Sequence, residues 1–218
     1  MPFGFGRRKS EADQPSGGIA VAAADAARER AIRFFGLTEE WRLRGSMAIT
    51  GRLLDTLNKR EAIALVDVTW APADGDANFE PAPGIKTVDP YDLIVVMAGP
   101  ETLATTDEDE RAAHRIHKVS FDVALNAPPF RVVGTIHMYP GSEPDGLLDR
   151  STQMFVAVTN PTVTIGDTIL ETDAPEDVAL VNRFYLRGID QVDLSTGEAY
   201  QRLPGTPLGG TNWRERAR

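Results

Sequence analysis

Trp41-Arg42-Leu43-Arg44-Gly45-Ser46-Met47 and Phe130-Arg131-Val132-Val133-Gly134-Thr135-Ile136 are the two stretches whose reading settles the fold class. In the first, Trp41, Leu43, Met47 and Ile49 alternate with Arg42, Arg44, Ser46 and Ala48, the period of a strand with one buried face. The second follows it, with the Arg and the Gly at matching places. A glycine inside a strand weakens it unless the chain must bend there or approach another backbone closely. The same interruption at the same place in both predicts strongly curved sheets, as in small closed or half-closed barrels.

The echo continues outward from these segments. Asp55-x-Leu57 answers to Asp145-x-Leu147, and Ala64-Leu65-x-Asp67-x-Thr69 to Ala157-Val158-x-Asn160-x-Thr162. Asp92-Leu93-Ile94-Val95-Val96 answers to Asp177-Val178-Ala179-Leu180-Val181. Residues 41–97 and 130–182 therefore read as two divergent copies of one strand-rich unit, and a duplicated unit tends to pack against its twin. The expected fold is mainly β with α additions: two tandem antiparallel small barrel-like units preceded by an N-terminal helix.

Around these units the chain divides by composition. Residues 1–17 are polar, rich in Gly, Pro and Ser, and predict a disordered tail. Residues 18–36 are Ala-rich and predict a helix stopped by Gly36 after Phe34-Phe35. The first β unit is expected over 37–105. The second is expected over 106–200, led by a short helix near 107–115, with an irregular tail over 201–218. Within the second unit, Val119, Phe121, Val123 and Leu125 alternate with Ser120, Asp122 and Ala124 as an amphipathic strand. Gly166-Asp167 between two β-prone runs predicts a type II′ hairpin. Pro72, Pro81, Pro83 and Pro90 mark 71–90 as a long loop and a candidate contact surface.

Composition narrows the function classes. The chain has 218 residues, a net charge of −9 and no cysteine. An acidic surface repels phosphates, so the body of the protein is not expected to bind nucleic acid. Without cysteine there is no disulfide framework or thiolate metal site. No apolar run approaches the ~20 residues of a transmembrane helix. Acidic residues and Pro15 stand where an export signal following Arg7-Arg8 would need an apolar core. A cytoplasmic location is the expectation.

Catalytic patterns are scarce. No phosphate loop, dinucleotide fingerprint or Gly-x-Ser-x-Gly elbow occurs, so no catalytic residue and no cofactor is assigned. Glu110, His114 and His117 have a spacing that could align metal ligands on one helix face, although a strand starting near Ile116 would break that register. Asp74-Gly75-Asp76-Ala77-Asn78 opens like a calcium loop, but Phe79 and Ile85 replace its glycine and its glutamate. His137 falls on the polar phase of its strand, as a surface residue would. Arg42 and Arg131 hold equivalent outward positions and could share a groove for a carboxylate or acidic partner. Phe3, Phe5, Arg7, Arg8, Phe34 and Phe35 are candidate partner-docking residues.

The segments Trp41-Arg-Leu-Arg-Gly45, Arg52-Leu-Leu-Asp55-Thr-Leu57-Asn58 and Ala64-Leu-Val-Asp67, with their counterparts in the second half, resemble an uncharacterised group of bacterial proteins. The resemblance covers roughly residues 40–100 and 128–194 and implies duplicated small β-barrel modules. It carries over no site residue. Glu143-Pro144 stands in place of Leu53-Leu54, and Leu148 in place of Asn58, so the second turn departs from the pattern. The reading that follows is a non-enzymatic interaction or scaffold protein, reaching its partner through the N-terminal helix, the 71–90 loop or the tails. The alternative is a small-molecule or metal-binding protein or enzyme that uses the groove between the units.

Overall fold

The computed structural model describes residues 29–74, 78–99, 118–149, 153–170, 178–196 and 198–200. The chain is mainly β. Its strands are β1 (Glu29–Leu37), β2 (Trp41–Thr50), β3 (Ile63–Pro72), β4 (Glu80–Pro81), β5 (Thr87–Val88), β6 (Val95–Ala98), β7 (Val119–Ala127), β8 (Phe130–Met138), β9 (Phe155–Ile165), β10 (Thr168–Ile169), β11 (Val178–Asn182) and β12 (Gly188–Gln191). The short helix α1 (Leu53–Asn58) joins β2 to β3. The strands pair antiparallel along one path, β12-β7-β8-β9-β11-β6-β1-β2-β3-β4, with β10 on β9 and β5 on β3.

Two meanders, β1-β2-β3 and β7-β8-β9, occupy the flanks of this sheet. Each carries the same irregularity. Between Arg44 and Ser46 the partner on β3 jumps from Thr69 to Val66, and between Val133 and Thr135 the partner on β9 jumps from Thr162 to Thr159. Each jump is one residue too many, a β-bulge that sharpens the local twist. The bulged residues Asp67 and Asn160 take φ of 52° and 50°. Opposite them stand Gly45 and Gly134. A Cβ on Gly45 would lie 2.9 Å from Val66 O, and one on Gly134 would lie 2.8 Å from Thr159 O and 2.6 Å from Val158 Cγ1. Only a residue without a side chain lets the bulged strand come this close.

The meanders do not close into two separate barrels. The fourth strand of the first half, β6, pairs with β1, whereas that of the second half, β11, pairs with β9. β6 and β11 then pair with each other, and the sheet runs on unbroken. β6, β11 and the C-terminal half of β1 are apolar on both faces. Ile32, Phe34, Val96, Ala98, Val178 and Leu180 enter one core with Met47 and Leu57. Phe35, Leu37, Val95, Met97, Ala179 and Val181 enter the other with Val132 and Ile136. The two cores thus lie on opposite faces of shared strands, which is why Leu93–Ala98 is a continuous apolar run without alternation.

Residues 29–36 correct the expected N-terminal helix, because they lie in strand β1; residues 18–28 are outside the described part. Alanine favours helix only weakly against tertiary context. Here Phe34 and Phe35 are 5% and 4% exposed, on opposite faces of a strand hydrogen-bonded on both edges. Gly36, read as a helix stop, sits inside that strand. The 71–90 segment is not a free loop: β4, β5 and the contacts Ala82 N–H to Val68 O and Leu65 N–H to Lys86 O cover the outer edge of β3. The hairpin at Gly166-Asp167 is present, with Gly166 at φ 55° as a type II′ turn requires. The helix expected near 107–115 falls outside the described residues.

Side-chain hydrogen bonds tie the halves together. Asn58 Oδ1 accepts from the N–H groups of Met154 (2.7 Å) and Phe155 (2.9 Å), fastening α1 to β9. Asn182, fully buried, donates to Leu93 O (2.8 Å) and Pro90 O (3.4 Å). Within the second half, Arg183, 6% exposed, donates to the carbonyls of Leu147, Gly146, Gln153 and Asp149. Burial lowers its pKa, and the negative charge of Asp149 opposes that shift.

Candidate functional site: an acidic, aromatic-walled cavity

The turn between β1 and β2 is closed by Thr38, whose N–H donates to Trp41 O and whose Oγ1 accepts from Trp41 N–H, each at 2.9 Å. That geometry places Glu39 and Glu40 at the tip. Trp41 follows, 38% exposed, edge-on to Trp70 on β3 with ring centroids 4.3 Å apart. An exposed tryptophan at a strand end, beside two carboxylates, is an unusual surface for a residue this apolar.

The facing wall comes from the segment that covers β3. Ile85, Thr87, Val88 and Asp89 lead into a 3-10 turn at Pro90–Asp92, capped by Asp89 Oδ1 accepting from Tyr91 N–H at 2.9 Å. The second half contributes the third wall. Its 3-10 turn at Arg183–Tyr185 places the Tyr185 hydroxyl to donate to Tyr91 O at 3.1 Å, while Phe184 stacks on Tyr91 with ring centroids 5.8 Å apart. These elements line an open cleft of about 370 Å³, with Leu43 and Val88 among its apolar lining.

Its electrostatics are one-signed. Glu39, Glu40, Asp89 and Asp92 line it, and among the described residues no Lys, Arg or His does. Among the described residues, the carboxylates of Glu39, Glu40 and Asp92 have no hydrogen-bonding or charged partner. Burial raises the pKa of Tyr185, and the negative charges of Glu39 and Asp92 push it in the same direction. Among the described residues, no three His, Cys, Asp or Glu side chains are grouped so as to hold a metal ion. Carboxylates distributed around aromatic walls suit a larger cation, held by charge at several points and by the faces of Trp41 and Tyr185.

The residues singled out in the sequence lie elsewhere. Arg42 donates through Nε to Pro72 O at 2.8 Å, and its guanidinium lies 5.6 Å from the centre of the Phe79 ring. Arg44 covers the same ring at 3.9 Å. Arg131 stands on β8 between Asn126 and Thr164. Four strands separate β2 from β8 along the sheet, so Arg42 and Arg131 hold matching places without being adjacent. Phe34 and Phe35 are interior and offer no docking surface, because each is buried in a core on its own face of β1. Glu110, His114, His117, Phe3, Phe5, Arg7 and Arg8 lie outside the described residues. His137 is exposed, as its phase predicts.

The cavity residues escaped the sequence reading. Glu39-Glu40-Trp41 and Asp89-Pro90-Tyr91-Asp92 are each an acidic pair beside an aromatic residue, and that composition was the available signal. Nothing local shows that they face each other, or that Tyr185 joins them. No protein-family model, no curated protein and no solved structure matches this chain. No helix among the described residues is long and apolar enough to cross a membrane.

Proposed function

We propose that the chain is a cytoplasmic interaction protein, built on a duplicated three-strand unit, whose acidic cavity receives a basic side chain from a protein partner. The observation that carries this reading is the set of carboxylates without cationic partners among the described residues, beside the exposed Trp41 and the ring of Tyr185. Tryptophan and tyrosine are enriched at interface hot spots, and an acidic rim steers a basic segment into contact. The matching bulges, glycines and left-handed residues of the two meanders support the duplication.

The test is a fluorescence anisotropy titration of a short Arg/Lys-rich peptide against the full chain. Binding that weakens with added salt is expected. Trp41→Ala is expected to lower the affinity by roughly tenfold or more, and joint Glu39→Gln, Glu40→Gln, Asp92→Asn replacement to abolish binding at the same protein concentration. Unchanged affinity in both variants, each shown to be folded by circular dichroism, would remove the cavity as the contact site. A second reading is a small organic cation held in the same open cleft by its carboxylates and the rings of Trp41 and Tyr185. A polyamine that raises the melting temperature while the peptide fails to bind would favour it.

A further inference from the structure

Away from the cavity, the outer face of β7-β8-β9 carries a line of three hydrogen-bonded side chains. Ser120 on β7 stands directly opposite His137 on β8, with Oγ 3.0 Å from Nδ1. His137 Nε2 lies 3.2 Å from Thr159 Oγ1 on β9, and Thr159 Oγ1 donates to Thr135 O at 3.1 Å. A carbonyl can only accept, so the single Thr159 hydroxyl proton is committed there. Thr159 Oγ1 must then accept from Nε2–H. In the neutral ring this leaves Nδ1 bare, and Ser120 O–H becomes its donor. The chain of donors therefore runs one way, from serine through histidine to threonine.

Strand register supplies a fourth component. Val192 N–H donates to Asp122 O and Arg187 N–H to Asn126 O, so the even-numbered backbone groups of β7 face β12. Ser120 shares that parity. Its pair with His137 is thus of the non-hydrogen-bonded kind, in which side chains lie closest. Its own N–H points to the β12 edge, beyond Val123, the last β7 residue in the β12 ladder, and meets no described residue.

We propose that Ser120 is an activated nucleophile that takes acyl groups from activated esters. Ser120 Oγ attacks the ester carbonyl carbon while its proton passes to His137 Nδ1. The resulting oxyanion accepts a hydrogen bond from the Ser120 N–H. Collapse of the intermediate breaks the bond to the leaving alcohol, which recovers the proton from Nδ1. The products are O-acyl Ser120 and the free alcohol, with no change of oxidation state. Thr159 is a positioning residue, fixing the imidazole tautomer through Nε2. His137 is exposed, so an ester reaches this face directly. The activity does not depend on the acidic cavity.

The experiment uses the full chain and p-nitrophenyl acetate, following nitrophenol release and locating the acetyl group by peptide mass spectrometry. Acetylation is expected at Ser120 ahead of every other hydroxyl and is lost in Ser120→Ala. In His137→Gln the rate should fall by about a hundredfold or more, the scale of general base catalysis. Thr159→Val should lower the rate and displace its pH profile, and Thr159→Ser should restore both. Absence of label on wild-type Ser120 overturns the proposal, as does an unchanged rate in His137→Gln or Thr159→Val with a wild-type circular dichroism spectrum.

Discussion

Gly45 and Gly134 are the residues where backbone geometry is least forgiving. Each faces a bulge whose carbonyl lies inside the radius of a Cβ, and backbone cannot swing aside as a side chain can. Alanine at either place should destabilise the fold by about 1–3 kcal/mol, the range of overpacking. Gly134→Ala should be the worse, since its Cβ would meet both Thr159 O and Val158 Cγ1. Urea unfolding of the two variants measures this, and wild-type stability in both would show that the bulges relax freely. These glycines were legible because an apolar strand interrupted twice at one position is a period-two signal. Asp67 and Asn160 were matched from sequence too, but their left-handed backbone follows from the strand across from them. Ser120, His137 and Thr159 were visible only as polar-phase strand residues, because register alone sets them side by side.

Among the elements, α1 shows how a short helix is held by packing. At six residues it is far too short to be stable alone. Leu53 and Leu57 bury its inner face, and Asn58 anchors its end to β9. Asn58→Ala should leave the Met154 and Phe155 N–H groups without an acceptor, at roughly 1–3 kcal/mol for each. Asn58→Asp keeps the acceptor and gives up the bond to Leu54 O, so it should cost less. Equal urea midpoints for the two variants would assign the effect to packing instead. The second half has Leu148 at this place, 41% exposed, the departure already visible in its sequence. One misjudged element is β1. Its Phe34-Phe35 pair is buried on both sides, which erases the alternation that marks a half-buried strand.

At the scale of the molecule, the two cores lie on opposite faces of β1, β6 and β11, and neither half carries all the strands that shield its own core. Separate polypeptides 1–105 and 106–218 should therefore lack cooperative thermal transitions by circular dichroism, and mixing them should restore one. Independent cooperative melting of both would mean that each half holds a complete core. The cavity belongs to this scale as well: Glu39, Asp92 and Tyr185 meet only because β11 pairs with β6 and Asn182 clamps the turn before it. By itself the sequence determined the β character, the curvature at the paired glycines, the hairpin at Gly166 and the acidity of the surface. Each of those follows from periodicity, backbone sterics or charge within a few residues. Only the tertiary structure decided that β6 joins β1 while β11 joins β9, that one sheet serves two cores, and where the carboxylates and aromatic rings converge. Antiparallel pairing between segments far apart in the chain depends on complementary edges and shared burial, which no local stretch encodes.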